Sequence, residues 1–336
     1  MIKNNKVYII AEVGVNHNGS LDLAMKSIKA AAQSGADAVK FQSFEAKEFM
    51  SNKKVNYSYN TSRGIVKESM YEMFKRLEFK KDWYIKLFNY CKKFKIDFLS
   101  SAAHIEAAVI LKKIKSKAIK IASEDIINYP LLKKIAKLNK TVILSTGMAN
   151  EKEIDKAVLI LKKIKKKLII LHCVSLYPTS KKEVNLNRIL ALKKKYNVSV
   201  GFSDHTLGTE AAIAAVSLGA CLIEKHFTLN SKLKGPDHFL SLNPKEFKKM
   251  VTGIRLAEKM IGTGKIKPSL KELKIRNKFR RSIVAQTVIK KGAKFNLKML
   301  SLKRPGTGLH PIFLSKLIGK IAKRNYKVND QIKYEN

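Results

Sequence analysis

The sequence predicts an α/β protein, a (β/α)8 (TIM) barrel followed by a small, mostly β domain. Within about the first 260 residues, eight short β-like runs alternate with amphipathic helical stretches. Eight βα units in a segment of that length are typical of a closed barrel of parallel strands. Turns of small residues join helix to strand, as in "SGADAVKFQ" and "LGACLIEKH". The alternation stops after Gly262, which predicts that a second domain lies beyond it.

The eight predicted strands are short and apolar, and they have similar lengths. They cover residues 7–12, 38–44, 96–101, 118–123, 141–146, 168–173, 198–204 and 221–227. Helical stretches such as 21–34 and 151–164 follow them. Between the second and third strands, residues 45–79 form a long polar segment, which we expect to cover the substrate.

The domain boundaries follow from where these patterns change. Residues 1–261 carry the barrel pattern, and residues 262–281 begin with "GTGKIKPSLKE", whose Gly, Pro and Lys content indicates a linker. Short strands and glycine turns from residue 282 to 336 predict a small β domain.

The basic composition raises the possibility of a nucleic-acid partner. The formal net charge is +42, from 68 Lys and Arg against 26 Asp and Glu. However, the lysines are spread over the whole chain on the polar faces of helices, and no nucleic-acid-binding motif accompanies them. We therefore expect a solvated basic surface that steers anionic small substrates, and no nucleic-acid partner.

Membrane and secretory features are not expected. No long uncharged apolar run predicts a membrane span, and the N-terminus has no apolar stretch of signal-peptide length. The three cysteines, Cys91, Cys173 and Cys221, lack the spacing of a metal site, and buried thiols are expected in the strands. These features favour a cytoplasmic protein.

Polar residues stand at the end of every predicted strand, where barrels of this class place their active sites. In chain order they are Glu12; Lys40 and Gln42; Ser100 and Ser101; Lys120 and Ser123, with Glu124 and Asp125 after them; Ser145 and Thr146; His172, with Ser175 and Tyr177 after it; Asp204 and His205; and Glu224 and His226. One such residue is commonly a satisfied core or capping group. Their presence at all eight strand ends predicts a shared site.

Four of these residues suit an anion. Lys40 and Lys120 supply ammonium donors, and Ser123 and Ser145 supply hydroxyls. The sequence therefore predicts a pocket for a negatively charged group.

The histidines suggest a divalent metal. His205 and His226 end adjacent strands and could share one ion, leaving positions for water and substrate. Two imidazoles suit Mn²⁺ better than Ca²⁺, and Mg²⁺ or Co²⁺ are alternatives. Glu12 could hold a metal-bound water or act as a base. His17 faces either the site or solvent, whereas His104 and His310 are expected to be structural or surface residues.

Several motifs together resemble the sialic acid synthase family, whose members include N-acetylneuraminate, legionaminic acid and pseudaminic acid synthases. They are "AEVGVNHNG", "KIAS" followed by an acid, "ILSTGM", "LHCVSLYPT", "GFSDHTLG", "EKHFTL…GPDH" and "KRPGTG". They occur in order over nearly the whole chain. The tail resembles the antifreeze-like (SAF) domain, a β-clip fold, that follows the barrel in this family.

The resemblance implies an activity and a role for each residue. The family are transferases that condense phosphoenolpyruvate with an N-acetylated hexose, giving a nine-carbon 2-keto acid and phosphate. Carried over by motif, the metal ligands are His205 and His226, with Glu12 beside them; Lys40, Lys120, Ser123 and Ser145 hold phosphoenolpyruvate; and Gln42, Tyr177 and Asp237 surround the sugar. Arg304 matches an arginine that one subunit inserts into its partner's barrel, which implies a domain-swapped homodimer.

Three departures from the family pattern bear on the sugar. Ser101 in "SSAAH" replaces a threonine and the usual Pro-Phe is missing; Asp125 takes the position of the acid, with Glu124 as an extra one; and Ser175 follows "HC" and one residue. They leave the reaction class unchanged. By family frequency we rank N-acetylmannosamine, giving N-acetylneuraminate, first, and 2,4-diacetamido-2,4,6-trideoxymannose, giving a legionaminic acid, second.

Two other functions are weighed against this one. Lys40 or Lys120 could form a Schiff base in an aldolase, which requires an amine of lowered pKa in an apolar pocket. The net charge is the only feature that favours a nucleic-acid-binding protein.

Overall fold

The computed structural model describes residues 6–333 and contains the predicted closed barrel. Its elements follow in this order: β1 (Tyr8–Gly14), α1 (Leu21–Gln33), β2 (Ala38–Ser43), α2 (Ala46–Phe49), β3 (Asn56–Thr61), β4 (Gly64–Ser69), α3 (Met70–Leu77), α4 (Trp83–Lys93), β5 (Asp97–Ala102), α5 (Ile105–Lys113), β6 (Ala118–Ile121), α6 (Tyr129–Lys137), β7 (Thr141–Ser145), α7 (Glu151–Ile160), β8 (Leu168–Cys173), α8 (Asn187–Tyr196), β9 (Ser199–Asp204), α9 (Glu210–Ser217), β10 (Leu222–His226), α10 (Pro244–Ile261), α11 (Leu270–Phe279), β11 (Ser282–Ala285), β12 (Leu300–Lys303) and α12 (Leu314–Leu317).

Eight parallel strands close the barrel in the order β1-β10-β9-β8-β7-β6-β5-β2. All eight predicted strands are present, with ends that differ by at most a few residues. The largest differences are two residues: β1 continues to Gly14, and β6 ends at Ile121 because a 3-10 turn begins at Ser123. The predicted fold class is therefore confirmed.

Successive side chains along each strand point to opposite faces of the barrel, so the hydrophobic core has two parts. Inward-facing residues such as Ile10, Leu171 and Leu222 fill the barrel interior, while their neighbours pack against the helices. Gly201 lies at a crowded inward position, where a Cβ would stand 2.5 Å from the Leu222 carbonyl oxygen and 2.7 Å from Leu171 Cδ2. This filled interior leaves room for a ligand only beyond the strand ends.

The excursion between β2 and β5 folds as a unit of its own. It consists of α2, the antiparallel hairpin β3–β4 and α3. Its residues Tyr59, Met73 and Leu77 form a buried cluster with Phe44 and with Val15, which follows β1. The segment predicted from its length and polarity is thus an ordered layer with an apolar centre.

The C-terminal part is a second compact unit, residues 263–336, of which the structure describes those up to 333. The strands β11 and β12 pair antiparallel, and Ile283, Phe295, Leu300 and Tyr326 belong to its core. Half of the predicted linker, residues 262–281, forms helix α11. Ser269 and Glu272 form a capping box that starts this helix.

None of the helices within residues 6–333 is both long enough and apolar enough to cross a bilayer.

Candidate active site

A cavity of about 280 Å³ opens at the carboxyl ends of the barrel strands. Of the polar residues at the strand ends, Ser100, Thr146, His172 and Asp204 do not line it. All but two of the residues to which the sequence analysis gave a role do line it: Glu12, Lys40, Gln42, Ser101, Lys120, Ser123, Asp125, Ser145, Tyr177, His205, His226 and Asp237. The exceptions are Ser175, which lies beside the cavity, and Arg304, which belongs to the C-terminal unit.

Glu12 lines the cavity at the end of β1, between β10 and β2. On the neighbouring strands it pairs in register with His226 on one side and Lys40 on the other. Its Oε1 accepts a hydrogen bond of 3.0 Å from Gln42 Nε2, and its Oε2 lies 2.9 Å from Lys40 Nζ. Burial raises the pKa of Glu12, although the Lys40 charge opposes this effect. A carboxylate with a raised pKa is suited to accept a proton.

Glu224 lies between the two lysines, and the sequence analysis gave it no role. Its carboxylate stands 3.8 Å from Lys40 Nζ and 3.7 Å from Lys120 Nζ, and it accepts a hydrogen bond of 2.9 Å from Ser203 Oγ. Burial acts to raise the pKa of Glu224, but the two lysines outweigh it and lower the pKa. Burial acts to lower the pKa of Lys40, but Glu12 and Glu224 outweigh it and raise the pKa. Lys40 is therefore an ammonium ion held ready for an anion.

Serine hydroxyls converge on Gly147, just after β7. The Gly147 N–H donates a hydrogen bond of 3.1 Å to Ser123 Oγ. A Cβ at position 147 would stand 2.2 Å from Ser175 Oγ and 2.7 Å from Ser123 Oγ, so the position requires glycine. Within the described residues, the buried hydroxyls of Ser145 and Ser175 have no hydrogen-bond partner. We call Ser123, Ser145, Ser175 and Gly147 the hydroxyl cradle.

The two predicted metal ligands lie side by side. The ring centroids of His205 and His226 are 5.4 Å apart, and Tyr177 stacks on His205 at 4.2 Å. His205 Nδ1 donates a hydrogen bond of 2.7 Å to the Val174 carbonyl oxygen, which leaves Nε2 to face a ligand. His226 Nδ1 is buried without a hydrogen-bond partner, and the nearest carboxylate oxygen, Asp237 Oδ2, is 3.6 Å away.

The pKa values of His205 and His226 are shifted in opposite directions. Burial and the neighbouring His205 lower the pKa of His226 well below its ordinary value, so this ring is neutral. Burial acts to lower the pKa of His205, but the adjacent Cys173 thiol and the Val174 carbonyl raise it to about 9. A cation that binds His205 must therefore displace a proton.

These donors fit a divalent ion that keeps open positions. Two imidazoles, with the carboxylates of Glu12 and Asp237 nearby, match the preference of borderline metals for nitrogen and oxygen ligands. No group of three or more His, Cys, Asp or Glu side chains within residues 6–333 is arranged to enclose a metal ion. Any ion here would thus depend on water and substrate for its remaining ligands.

The excursion supplies a different kind of surface. Phe44, Phe49, Met70, Met73, Phe74 and Leu77 line the same cavity. The sequence analysis missed them, because it searched only for polar residues.

Asp125 also lines the cavity, and burial raises its pKa to about 6.

Four histidines have structural roles. His17 was expected to face the site or solvent, but it is fully buried against aromatic rings, including Trp83 at 5.3 Å. His172, one of the polar residues at the strand ends, points outward and donates a hydrogen bond of 2.6 Å to the Val184 carbonyl. His104 and His310 accept hydrogen bonds from backbone N–H groups at helix starts.

Arg304 follows β12 and is exposed. Its Nε donates a hydrogen bond of 3.0 Å to the Phe279 carbonyl oxygen, and its guanidinium lies 5.4 Å from the Phe279 ring centroid.

Comparison with known proteins identifies the family. A family model described as "NeuB family" matches residues 27–266. The chain belongs to the NeuB family. A second model, described as "SAF domain", matches residues 280–336 and identifies the C-terminal unit as a SAF domain.

Relatives of this NeuB-family chain match it over nearly its full length. The N,N'-diacetyllegionaminic acid synthase of Campylobacter jejuni is 45% identical over 98% of this chain and 99% of the relative. The pseudaminic acid synthase of the same organism is 40% identical over 98% of this chain and 96% of the relative. The solved N-acetylneuraminic acid synthetase of Leptospira borgpetersenii is 38% identical, with a TM-score of 0.75 over 83% of this chain and 94% of that one. The chain is thus a NeuB-type enzyme of the sialic acid synthase kind.

Proposed function

We propose that this enzyme condenses phosphoenolpyruvate with 2,4-diacetamido-2,4,6-trideoxymannose to give N,N'-diacetyllegionaminic acid and phosphate. The observation that supports the reaction class is that two lysines, the hydroxyls of Ser123 and Ser145 and a histidine pair line one cavity. The legionaminic acid synthase among the relatives supports the sugar. This relative favours 2,4-diacetamido-2,4,6-trideoxymannose, which the sequence analysis ranked second, instead of N-acetylmannosamine, which it ranked first.

Phosphoenolpyruvate has its proposed site at the lysines. In the structure, Lys40 and Lys120 are paired with the carboxylates of Glu12 and Glu224. In the complex, the two lysines neutralise the charges of phosphoenolpyruvate. The unpartnered hydroxyl of Ser145, which lines the cavity, donates to its oxygens. These donors are held by strands and by Gly147, so they need little rearrangement to hold the anion in line with the sugar.

The bond changes then follow from the chemistry of the two substrates. C3 of phosphoenolpyruvate attacks the aldehyde carbon of the open-chain sugar, and the π electrons of the C2–C3 bond form the new C–C bond. The aldehyde oxygen gains a proton and becomes a hydroxyl. Water adds to the cationic C2 and loses a proton to Glu12, whose raised pKa suits this task. The C2–O bond to phosphate breaks last. The remaining hydroxyl on C2 becomes the carbonyl of the 2-keto acid, and its proton leaves with the phosphate.

A divalent ion, with Mn²⁺ favoured, is part of the proposal. His205 and His226 would hold it, with Glu12 and Asp237 close by. When bound, it would polarise the aldehyde as a Lewis acid. Asp237 also accepts a hydrogen bond from a sugar hydroxyl in this scheme.

A domain-swapped homodimer is also proposed, with Arg304 reaching a partner's cavity. It is supported by the family resemblance and by the exposure of apolar residues before the SAF domain, among them Ile266, Leu270 and Phe279. Mixing Arg304→Ala with His226→Ala subunits tests it. We expect the mixture to recover part of the activity, because a mixed dimer contains one site that has both an intact His226 and an intact Arg304. Activity that stays at the sum of the two variants, although subunits exchange, would contradict it.

The carboxylates beside Lys40 argue against the alternative function, a Schiff-base aldolase. Its lysine would need a lowered pKa, whereas Glu12 and Glu224 raise that of Lys40. Borohydride with pyruvate should leave the protein without an adduct, and phosphate release should require both phosphoenolpyruvate and a sugar. Trapping of Lys40 or Lys120 would overturn the proposed reaction.

A further inference from the structure

The cavity has two chemically different halves. The strand ends of the barrel supply lysines, carboxylates, histidines and hydroxyls, whereas the excursion supplies Phe44, Phe49, Met70, Met73, Phe74 and Leu77. None of these six side chains carries a nitrogen or oxygen atom. We call them the apolar wall.

The apolar wall is packed rather than loose. The rings of Phe44, Phe49 and Phe74 contact one another, with centroids 5.0 to 5.6 Å apart. Met73 and Leu77 are buried in the same apolar cluster. Phe49 and Phe74 are half-buried and line the cavity, so part of each ring faces the space that a ligand would fill.

Among the excursion residues that line the cavity, the one with a hydroxyl group is Tyr57, which packs next to the apolar wall. Tyr57 is half-buried there, and burial together with the charge of Asp237 raises the pKa of its phenol. The sugar's aldehyde carbon must lie next to phosphoenolpyruvate, at the lysines. In the proposed reaction the rest of the sugar occupies the remainder of the cavity, which includes the lining that the excursion supplies.

We infer that the apolar wall determines sugar specificity by selecting substrates with a methyl group at C6, where N-acetylmannosamine has a hydroxymethyl group. This inference rests on the proposed function for the orientation of the sugar. A C6 hydroxyl against the wall would lose its water partners and find no replacement, whereas a methyl group loses nothing. An apolar pocket discriminates against one added hydroxyl by a factor of about 10 to 100.

A matched pair of sugars tests the wall independently of the physiological substrate. N-acetylmannosamine and its 6-deoxy analogue differ in a single oxygen atom. We expect kcat/KM to be about 10 to 100 times higher for the 6-deoxy sugar. The sugar-induced rise in Tm in the presence of phosphoenolpyruvate serves as a second readout and applies even without turnover.

Two variants place a polar group on the wall with little change in volume. Met70→Gln adds an amide, and Phe74→Tyr adds a hydroxyl. Both should lower the 6-deoxy preference by about 10-fold, mainly by improving the use of N-acetylmannosamine. Ile65→Gln is the control, because Ile65 is exposed on the same excursion and does not line the cavity. It should leave the preference unchanged.

The outcomes separate this inference from the proposed function. If the wild-type enzyme prefers the 6-deoxy sugar but does not accept the 2,4-diacetamido sugar, the wall inference stands and the proposed substrate is wrong. If it shows no 6-deoxy preference in either readout, the wall inference is wrong even if the diacetamido sugar is the substrate. An unchanged preference in both folded wall variants would also overturn it.

Discussion

Lys225 Nζ lies 2.8 Å from Asp204 Oδ2, and both side chains are completely buried. The two residues pair in register on β10 and β9, each one position before a histidine of the active site. Lys225 also donates to the Thr206 carbonyl oxygen at 2.5 Å, and Asp204 Oδ1 accepts from the N–H of Thr206 at 2.8 Å. This outward-facing ion pair ties together the two strand ends that carry His205 and His226.

Loss of Lys225 should therefore strongly destabilise the enzyme. Lys225→Met leaves the Asp204 carboxylate buried without its partner, at a cost of about 3–5 kcal/mol in the free energy of unfolding. Denaturant unfolding measures this cost. Lys225→Met/Asp204→Asn should recover part of it, since an amide oxygen still accepts from Thr206. The exposed pair of Lys26 and Asp22 provides the control, and Lys26→Met should change stability by less than about 1 kcal/mol. Equal effects of the two single changes would contradict the role of burial.

The hydroxyl cradle predicts a substrate-binding defect in Gly147→Ala. The added methyl group must displace the hydroxyls of Ser123 and Ser175, which moves donors away from the anion. Steady-state kinetics should show a KM for phosphoenolpyruvate raised by about 10-fold or more. Met148→Ala, in the same turn but with an exposed side chain, should retain the wild-type KM. A wild-type KM in folded Gly147→Ala would exclude the cradle as part of the anion site.

Asp125 predicts a pH-dependent change in stability. Burial raises its pKa in the folded state from an ordinary 3.8 to about 6, so the folded protein binds this proton more tightly than the unfolded chain does. The contribution of Asp125 to stability therefore falls as pH rises from about 4 to 6 and stays low above that range. Asp125→Asn should be more stable than wild type by roughly 1–2 kcal/mol at pH 8, with the difference vanishing near pH 4. Asp22→Asn, at an exposed site, should show no such gain. A gain independent of pH would exclude titration of Asp125 as its cause.

The histidine pair predicts metal binding that does not depend on turnover. Titration of the protein with Mn²⁺, followed by electron paramagnetic resonance of the free ion, should show one site per chain. His205→Ala and His226→Ala should each weaken it by at least about 10-fold, whereas His310→Ala, in the SAF domain, should not. Unchanged Mn²⁺ affinity in both active-site variants would place the metal elsewhere.

Much of the site could be predicted because strand residues alternate between two faces. Ile10 and Leu222 fill the barrel interior, and the residues two positions further, Glu12 and Glu224, line the cavity. The same rule explains an omission. Cys173 was expected to be only a buried thiol, but it lies on the inward face, with its Sγ 3.9 Å from His205 Nδ1.

The apolar wall could not be predicted in this way. The excursion contains "VNYSYNTSRG", which predicts a polar loop, and its apolar residues lie on either side of that stretch. Phe49 and Phe74 contact each other only because the hairpin β3–β4 brings α2 and α3 together. This long-range packing leaves no periodic pattern in the sequence. Helix α11 within the predicted linker was also not expected, because the Gly and Pro residues that indicated the linker precede a well-capped helix.

A competition experiment tests the central claim most directly. The purified enzyme, with Mn²⁺ and limiting phosphoenolpyruvate, receives equal concentrations of 2,4-diacetamido-2,4,6-trideoxymannose and N-acetylmannosamine. The ratio of the two nine-carbon acids, measured by mass spectrometry alongside phosphate release, equals the ratio of the two kcat/KM values. We predict that the diacetyllegionaminic acid exceeds N-acetylneuraminate by about 10-fold or more. An excess of N-acetylneuraminate, or phosphate release with neither acid formed, would contradict the account.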